Sequence, residues 1–160
     1  MNITQTDKYR KDFSEFNQGT LEAVSKICPV DTGKTDDKEQ HYMFDNGWQL
    51  TKEAETKWRI YILKWFKRNY SDIVALSNYG FGMHEIGIWF VCSITGQGTG
   101  LWDAHTGIKK NHNDIKALGK KLHESTLQPR AYPYNDIYLY RKRGSKYCEF
   151  DSPVTVRSAG

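Results

Sequence analysis

The clearest strand signal in the chain is the sequence DIYLYRKRGSKYCEF, which occupies residues 136–150. Its aliphatic residues Ile137 and Leu139 alternate with Tyr138 and Tyr140, and such alternation places the two pairs on opposite faces of a strand. A short run of turn-forming residues follows, and the last five residues resume a strand pattern. We therefore predict a β-hairpin close to the carboxyl end.

A second hairpin is predicted farther upstream. The run GIWFVCSI at residues 87–94 is β-branched and aromatic, and it is apolar on both faces, as in a central strand. The glycine-rich segment TGQGTG at 95–100 separates it from Leu101-Trp102-Asp103, and two strands joined by such a loop are typical of a hairpin. Together the two hairpins predict an antiparallel sheet of about four strands.

Three other segments have helical periodicity. The strongest is 50–70, where apolar residues recur every three or four positions. A first helix is predicted within 1–30, where Pro29 stops it, and another at 111–126. Within 50–70, acidic residues come early and Lys64, Lys67 and Arg68 come late, which suits the helix dipole. Two to three helices packed on an antiparallel sheet predict the α+β class.

One domain is expected over residues 1–160, because a chain of 160 residues has the length of an ordinary domain. Turn-forming residues make 30–47 a long loop, and residues 151–160 are expected to fray. No apolar run is long enough for a membrane span, and no signal peptide is expected. Three cysteines without a C-x-x-C pattern argue against a disulfide framework, so we expect the protein to reside in a reducing cytoplasm.

Charge is distributed unevenly along the chain. Residues 1–56 contain 7 Lys or Arg and 11 Asp or Glu, whereas residues 107–150 contain 10 Lys or Arg and 4 Asp or Glu. An asymmetry of this kind bears on partners rather than on fold. Either the two ends attract each other within the fold, or the basic end is directed toward a partner.

A basic, tyrosine-rich surface is the main candidate site. Aromatic residues alternate with cations near the carboxyl end, and further lysines lie on the helix before it. The residues predicted to bind a partner are Tyr138, Tyr140, Arg141, Lys142, Arg143, Lys116, Lys120 and Lys121. Such a surface suits an acidic protein partner or a nucleic acid, while the alternative is a solvated helix face with packed tyrosines.

Catalytic and cofactor motifs are weak. Gly96, Gly98 and Gly100 are not followed by the helix that a phosphate-binding loop needs. Asp103 and His105 are the best metal candidates, since alternate residues of a strand point the same way, and they would serve a metal-dependent hydrolase. We expect no cofactor and no enzymatic activity.

The run from Trp89 to Asp103, with its glycine-rich segment, resembles a hairpin motif in small hypothetical proteins of phages and plasmids. The resemblance extends over residues 87–150, although the family often has a histidine in the loop where this chain has Gln97. It implies an origin in a mobile element or virus. The resulting expectation is a non-enzymatic protein that occupies a host component, as inhibitors of host defence do.

Overall fold

A computed structural model describes residues 3–33, 39–127 and 137–151 and shows an α+β fold. The helices in these ranges are α1 (Ile3–Ile27), α2 (Met43–Asn46), α3 (Lys52–Ser77), α4 (Met83–Thr95) and α5 (His112–Leu127), with a 3₁₀ turn at Leu101–Asp103. The strands are β1 (Val30–Asp31), β2 (Gln49–Leu50), β3 (Leu139–Arg141) and β4 (Tyr147–Phe150). The predicted fold class is confirmed.

The four strands form one mixed sheet in the order β1-β3-β4-β2. The predicted carboxyl-terminal hairpin is present, with β3 antiparallel to β4 and Leu139 opposite Phe150. The purely antiparallel arrangement is wrong, because β1 pairs parallel to β3 and β2 pairs parallel to β4. These outer strands lie before α2 and α3, and long connections containing helices allow parallel pairing.

All three predicted helices are confirmed, and α3 is longer than expected. Thr51 caps its start, since its side-chain oxygen accepts a hydrogen bond from the Ala54 backbone N–H at 3.1 Å. The helix continues to Ser77 rather than ending near residue 70. The cations predicted for its last turn therefore lie in its middle.

The predicted strand at 87–94 is wrong, because these residues form the core of α4. This helix packs against α1, α5 and the 3₁₀ turn, so most of its side chains are buried. A helix buried around its circumference is apolar on every face, and its sequence then looks like that of a central strand.

The predicted glycine hairpin is also absent. Gly96 ends α4 in the left-handed conformation, with φ 71°, and its N–H bonds to the Cys92 carbonyl, as is typical of helix ends. The Ser93 hydroxyl then accepts a hydrogen bond from the Leu101 N–H at 2.8 Å. The chain thus enters a 3₁₀ turn instead of a returning strand.

Structure also occurs within the predicted long loop at 30–47. Val30 donates its N–H to the His41 carbonyl at 2.8 Å, and α2 follows. Of this loop, 34–38 lie outside the described residues, as do 152–160 of the predicted frayed tail.

Two glycines allow α1 and α4 to approach closely. A Cβ atom at Gly19 would lie 2.0 Å from the His84 carbonyl oxygen, and one at Gly87 would lie 2.2 Å from the Phe16 carbonyl oxygen. Both obstacles are backbone atoms, which a side-chain rotation cannot remove. The contact between these helices therefore requires the absence of a side chain at both positions.

Aromatic rings fill the space between these helices and α3. Phe16 of α1 and Phe90 of α4 lie with their centroids 5.6 Å apart, and Trp65 of α3 is 4.6 Å from Phe90. Trp58 is fully buried, and its indole N–H donates to the Thr20 hydroxyl at 2.9 Å. The core thus joins α1, α3 and α4 directly.

The substitution Gly87→Ala tests the close helix contact. We expect it to lower the free energy of unfolding by about 2 kcal/mol, because the added methyl group forces the two backbones apart. Gly82→Ser is the control, since Gly82 precedes α4 with open space around it and serine is favoured there. Denaturant unfolding that showed equal stability for Gly87→Ala and wild type would contradict the prediction.

Candidate functional site

Three tyrosines and a glutamate share the outward face of the hairpin. Tyr138 precedes β3, Tyr140 lies in it opposite Glu149, and Tyr147 begins β4. Tyr138 and Tyr147 are 50% and 45% exposed, whereas the alternate residue Leu139 is buried. We call this set, Tyr138, Tyr140, Tyr147 and Glu149, the outer hairpin face.

Hydrogen bonds within the protein already engage Glu149. The Tyr140 hydroxyl donates to its carboxylate at 2.5 Å, and the Thr51 hydroxyl donates at 3.3 Å. The bond to Glu149 raises the pKa of Tyr140 above its usual value, because loss of the phenol proton would leave two anions in contact. These two donors satisfy part of the carboxylate's hydrogen-bonding capacity at the centre of the face.

Shallow cavities flank the pair of Tyr140 and Glu149. One, of about 260 Å³, is lined by Thr51, Tyr140, Lys142, Ser145, Tyr147 and Glu149. The other, of about 170 Å³, is lined by Glu53, Ala54, Lys57, Tyr140, Glu149 and Phe150. Both are smaller than the roughly 300–1,000 Å³ of typical small-molecule sites.

Cations surround the turn of the hairpin. Lys142, Arg143 and Lys146 are exposed, and the Lys146 ammonium lies 5.4 Å from the centroid of the Tyr147 ring. Neither Lys142 nor Arg143 forms an ion pair with a carboxylate in the described ranges 3–33, 39–127 and 137–151. Their charges are therefore available to a partner.

Arg141 lies on the other face of the hairpin. It is opposite Cys148, its guanidinium lies 4.3 Å from the centroid of the Trp48 ring, and it donates to the Ser145 carbonyl. The structure thus separates Arg141 from Lys142 and Arg143, with which the sequence grouped it. Its contacts hold the turn against the residues before β2.

The predicted lysines of α5 occupy a different part of the surface. Lys116, Lys120 and Lys121 are exposed, and α5 packs mainly against the 3₁₀ turn, α3 and α4. Lys121 pairs with Asp72 of α3 at 3.1 Å, and Lys120 is 3.9 Å from Glu124. The predicted single patch is therefore divided between the hairpin and α5.

The metal candidates do not lie on a strand. Asp103 ends the 3₁₀ turn and His105 follows it, so the predicted shared strand face is wrong. The His105 ring lies 4.9 Å from that of His112. Burial lowers the pKa of His123, and the negative charges of Glu124 and Asp103 oppose this shift. Within the described part of the chain, no three His, Cys, Asp or Glu side chains are arranged to hold a metal.

Tyr147 and Glu149 were missed as site residues, although a signal for them was present. Apolar Cys148 and Phe150 alternate with them, and the same alternation had assigned the faces of β3. Lys57 could not have been found from local sequence, because only the packing of α3 beside β4 brings it to the hairpin.

Comparison with models of known protein families, with curated proteins and with solved structures finds no match. The resemblance to phage and plasmid proteins therefore stays a prediction. Among the residues that the structure describes, no helix combines the length and apolar character that crossing a bilayer demands.

Arg141→Ala should destabilise the protein, which distinguishes it from its neighbours. We expect a loss of about 1 kcal/mol in the free energy of unfolding, because the stacking on Trp48 and the bond to Ser145 both disappear. Lys142→Ala is the matched control and should leave stability within about 0.5 kcal/mol of wild type. Thermal or denaturant unfolding measures both, and equal stability of the two variants would refute the assigned role.

All three thiols should be unreactive in the folded protein. Cys28, Cys92 and Cys148 are buried, and burial raises the pKa of Cys28 to about 12 and that of Cys148 to about 11. The reactive thiolate is therefore scarce as well as shielded at pH 8. A colorimetric disulfide reagent should label the native protein slowly and all three thiols rapidly in guanidinium, and rapid native labelling would contradict this.

Proposed function

We propose that the protein is a non-enzymatic binding protein that docks an acidic protein through the outer hairpin face and the adjacent cations Lys142, Arg143 and Lys146. In line with the resemblance noted above, the partner is a host component, and the protein is an accessory factor of a phage or mobile element. It acts in the cytoplasm of the host, as inhibitors of host defence do.

The observation that carries this proposal is the combination of exposed tyrosines with unpaired cations. Tyr138 and Tyr147 present large, rigid rings, and tyrosine is enriched at protein interfaces because it adds contact area at low entropic cost. Lys142 lines one cavity together with Tyr147, and neither Lys142 nor Arg143 has a carboxylate partner among the described residues. An acidic surface would complement these charges.

The shape of the site favours a macromolecule over a small molecule. Its cavities of about 170 and 260 Å³ are shallow, and they share Tyr140 and Glu149 as a common wall. A small ligand is usually enclosed on most sides, whereas a protein surface can cover a flat, ridged face.

Nucleic acid is the second candidate partner, and the three tyrosines of the outer hairpin face favour it. Bases stack on aromatic rings, and lysines along the edge neutralise phosphates. Glu149 opposes this alternative, because its carboxylate lies at the centre of the face where a phosphate backbone would pass. An acidic protein can place its carboxylates at the turn and avoid Glu149.

Charge reversal at the turn tests the proposal. Lys142→Glu with Arg143→Glu should reduce binding to the partner at least about tenfold without unfolding the domain, because both side chains are exposed. The control is Lys109→Glu with Lys110→Glu, which makes the same change in net charge at exposed positions away from the hairpin. Each tagged variant is used to capture proteins from a bacterial lysate, with and without nuclease.

A protein retained by wild type and by the control, lost with the turn variant and insensitive to nuclease supports the proposal. Equal retention by both variants would overturn the assigned surface. Loss of retention after nuclease treatment, with a steep decrease at higher salt, would favour the nucleic-acid alternative.

A further inference from the structure

The solvent face of α3 carries a group of cations around an exposed isoleucine. Ile60 is 53% exposed, and Lys64, Lys67 and Arg68 follow it at helical spacing. We call the set Lys57, Ile60, Lys64, Lys67 and Arg68 the α3 stripe. Residues 56–71 contain five Lys or Arg and no Asp or Glu.

The helix dipole does not account for these cations. Charge–dipole stabilisation falls off within the last turn of a helix, and α3 ends at Ser77 with no basic residue in its last turn. Arg68 therefore lies more than two turns before the end. The acidic residues Glu53 and Glu55 do suit the dipole, because they lie in the first turn.

Local ion pairing does not account for them either. Lys64 is three residues from Lys67 and four from Arg68, and like charges at these spacings destabilise a helix by a few tenths of a kcal/mol per pair. No carboxylate in the described ranges forms an ion pair with these three, and Asp72 is engaged by Lys121 of α5. The stripe thus lowers helix stability without a carboxylate partner among the described residues.

We propose that the α3 stripe is a docking surface for an acidic amphipathic helix of a partner protein. Ile60 offers an apolar centre, and the surrounding ammonium and guanidinium groups match carboxylates that flank the apolar residues of such a helix. From Lys57 to Arg68 the stripe extends about 16 Å, which is three helical turns and enough for one helix to lie along it.

The apolar centre favours a protein over a nucleic acid. Phosphate binding needs cations, and base binding in single strands uses aromatic rings, but an aliphatic side chain contributes to neither. An exposed aliphatic residue that lies between Lys57 and Lys64 instead suits a protein interface, in which apolar contacts are flanked by polar ones.

The stripe is continuous with the outer hairpin face. Lys57 lines the cavity of about 170 Å³ together with Tyr140 and Glu149, so one partner could cover both surfaces. The inference rests on the proposed function for the class of partner, and it adds the partner's secondary structure and a second contact surface.

A stapled 18-residue helical peptide is the probe, with leucines along one face and glutamates elsewhere. Its affinity for the full chain is measured by fluorescence anisotropy, beside that of a 20-nucleotide oligothymidylate. Lys64→Glu, Lys67→Glu and Arg68→Glu together should weaken peptide binding at least about thirtyfold, and Ile60→Ser about fivefold. Lys11→Glu, Lys109→Glu and Lys110→Glu together carry the same charge change at exposed positions outside the stripe and should weaken it less than about threefold.

Equal weakening by the two triple variants, or no effect of Ile60→Ser, would overturn the proposal. Tighter binding of the oligothymidylate than of the peptide, lost in the α3 triple variant, would overturn it in favour of a nucleic-acid surface. Lys142→Glu with Arg143→Glu should leave peptide affinity within about twofold, so failure here and failure of the hairpin proposal can be told apart.

Lys64→Glu provides a second, independent readout. It replaces two like-charge pairs by attractive pairs with Lys67 and Arg68, so the melting temperature should rise by about 2 °C while peptide binding weakens. A lower melting temperature would refute the argument that the stripe is maintained against the stability of α3.

Discussion

The rest of the structure depends on the close contact between α1 and α4. Gly19 meets the His84 carbonyl and Gly87 meets the Phe16 carbonyl, so the two backbones touch where side chains would otherwise keep them apart. This approach places Phe90 among Phe16 and Trp65, and it makes α4 a central helix buried on most sides. The helix α3 packs on this core through Trp65 and leaves Ile60 exposed.

Two tryptophans hold the hairpin in place, Trp58 in the helical core and Trp48 just before β2. Phe150 stacks on Trp58 with the ring centroids 5.4 Å apart, and Arg141 stacks on Trp48 at the other end of the strand pair. Two-stranded hairpins are marginally stable alone, so these contacts and the parallel outer strands maintain the shape of the outer hairpin face. A face that is rigid before binding loses less entropy when a partner covers it, which increases affinity for a given contact area.

The sequence was sufficient for elements whose two faces differ in polarity. The carboxyl-terminal hairpin alternates strictly, α3 and α5 have apolar stripes, and all of them were predicted correctly. It was insufficient for 87–94, because a run that is apolar on every side has no period and fits a buried helix or a buried strand. It was also insufficient for the outer strands β1 and β2, which have two residues each and depend on pairing with β3 and β4. The candidate site followed the same rule, since alternation located Tyr138 and Tyr140. It also places Arg141 on the inward face with Leu139, which was overlooked when Arg141 was grouped by charge with Lys142 and Arg143.

The ion pairs of the structure show which of the unevenly distributed charges are neutralised within the fold. Within α1, Asp12 pairs with Lys8 and Glu22 pairs with Lys26. Glu22 also contacts His84 of α4. On α5, Lys120 pairs with Glu124, and Lys121 pairs with Asp72 of α3. These ion pairs link neighbouring turns or adjacent helices rather than the two ends of the chain. None of these ion pairs involves the cations of the α3 stripe or of the hairpin turn. Since such cations oppose one another when unpaired, the proposed anionic partner would relieve the repulsion in both groups at once.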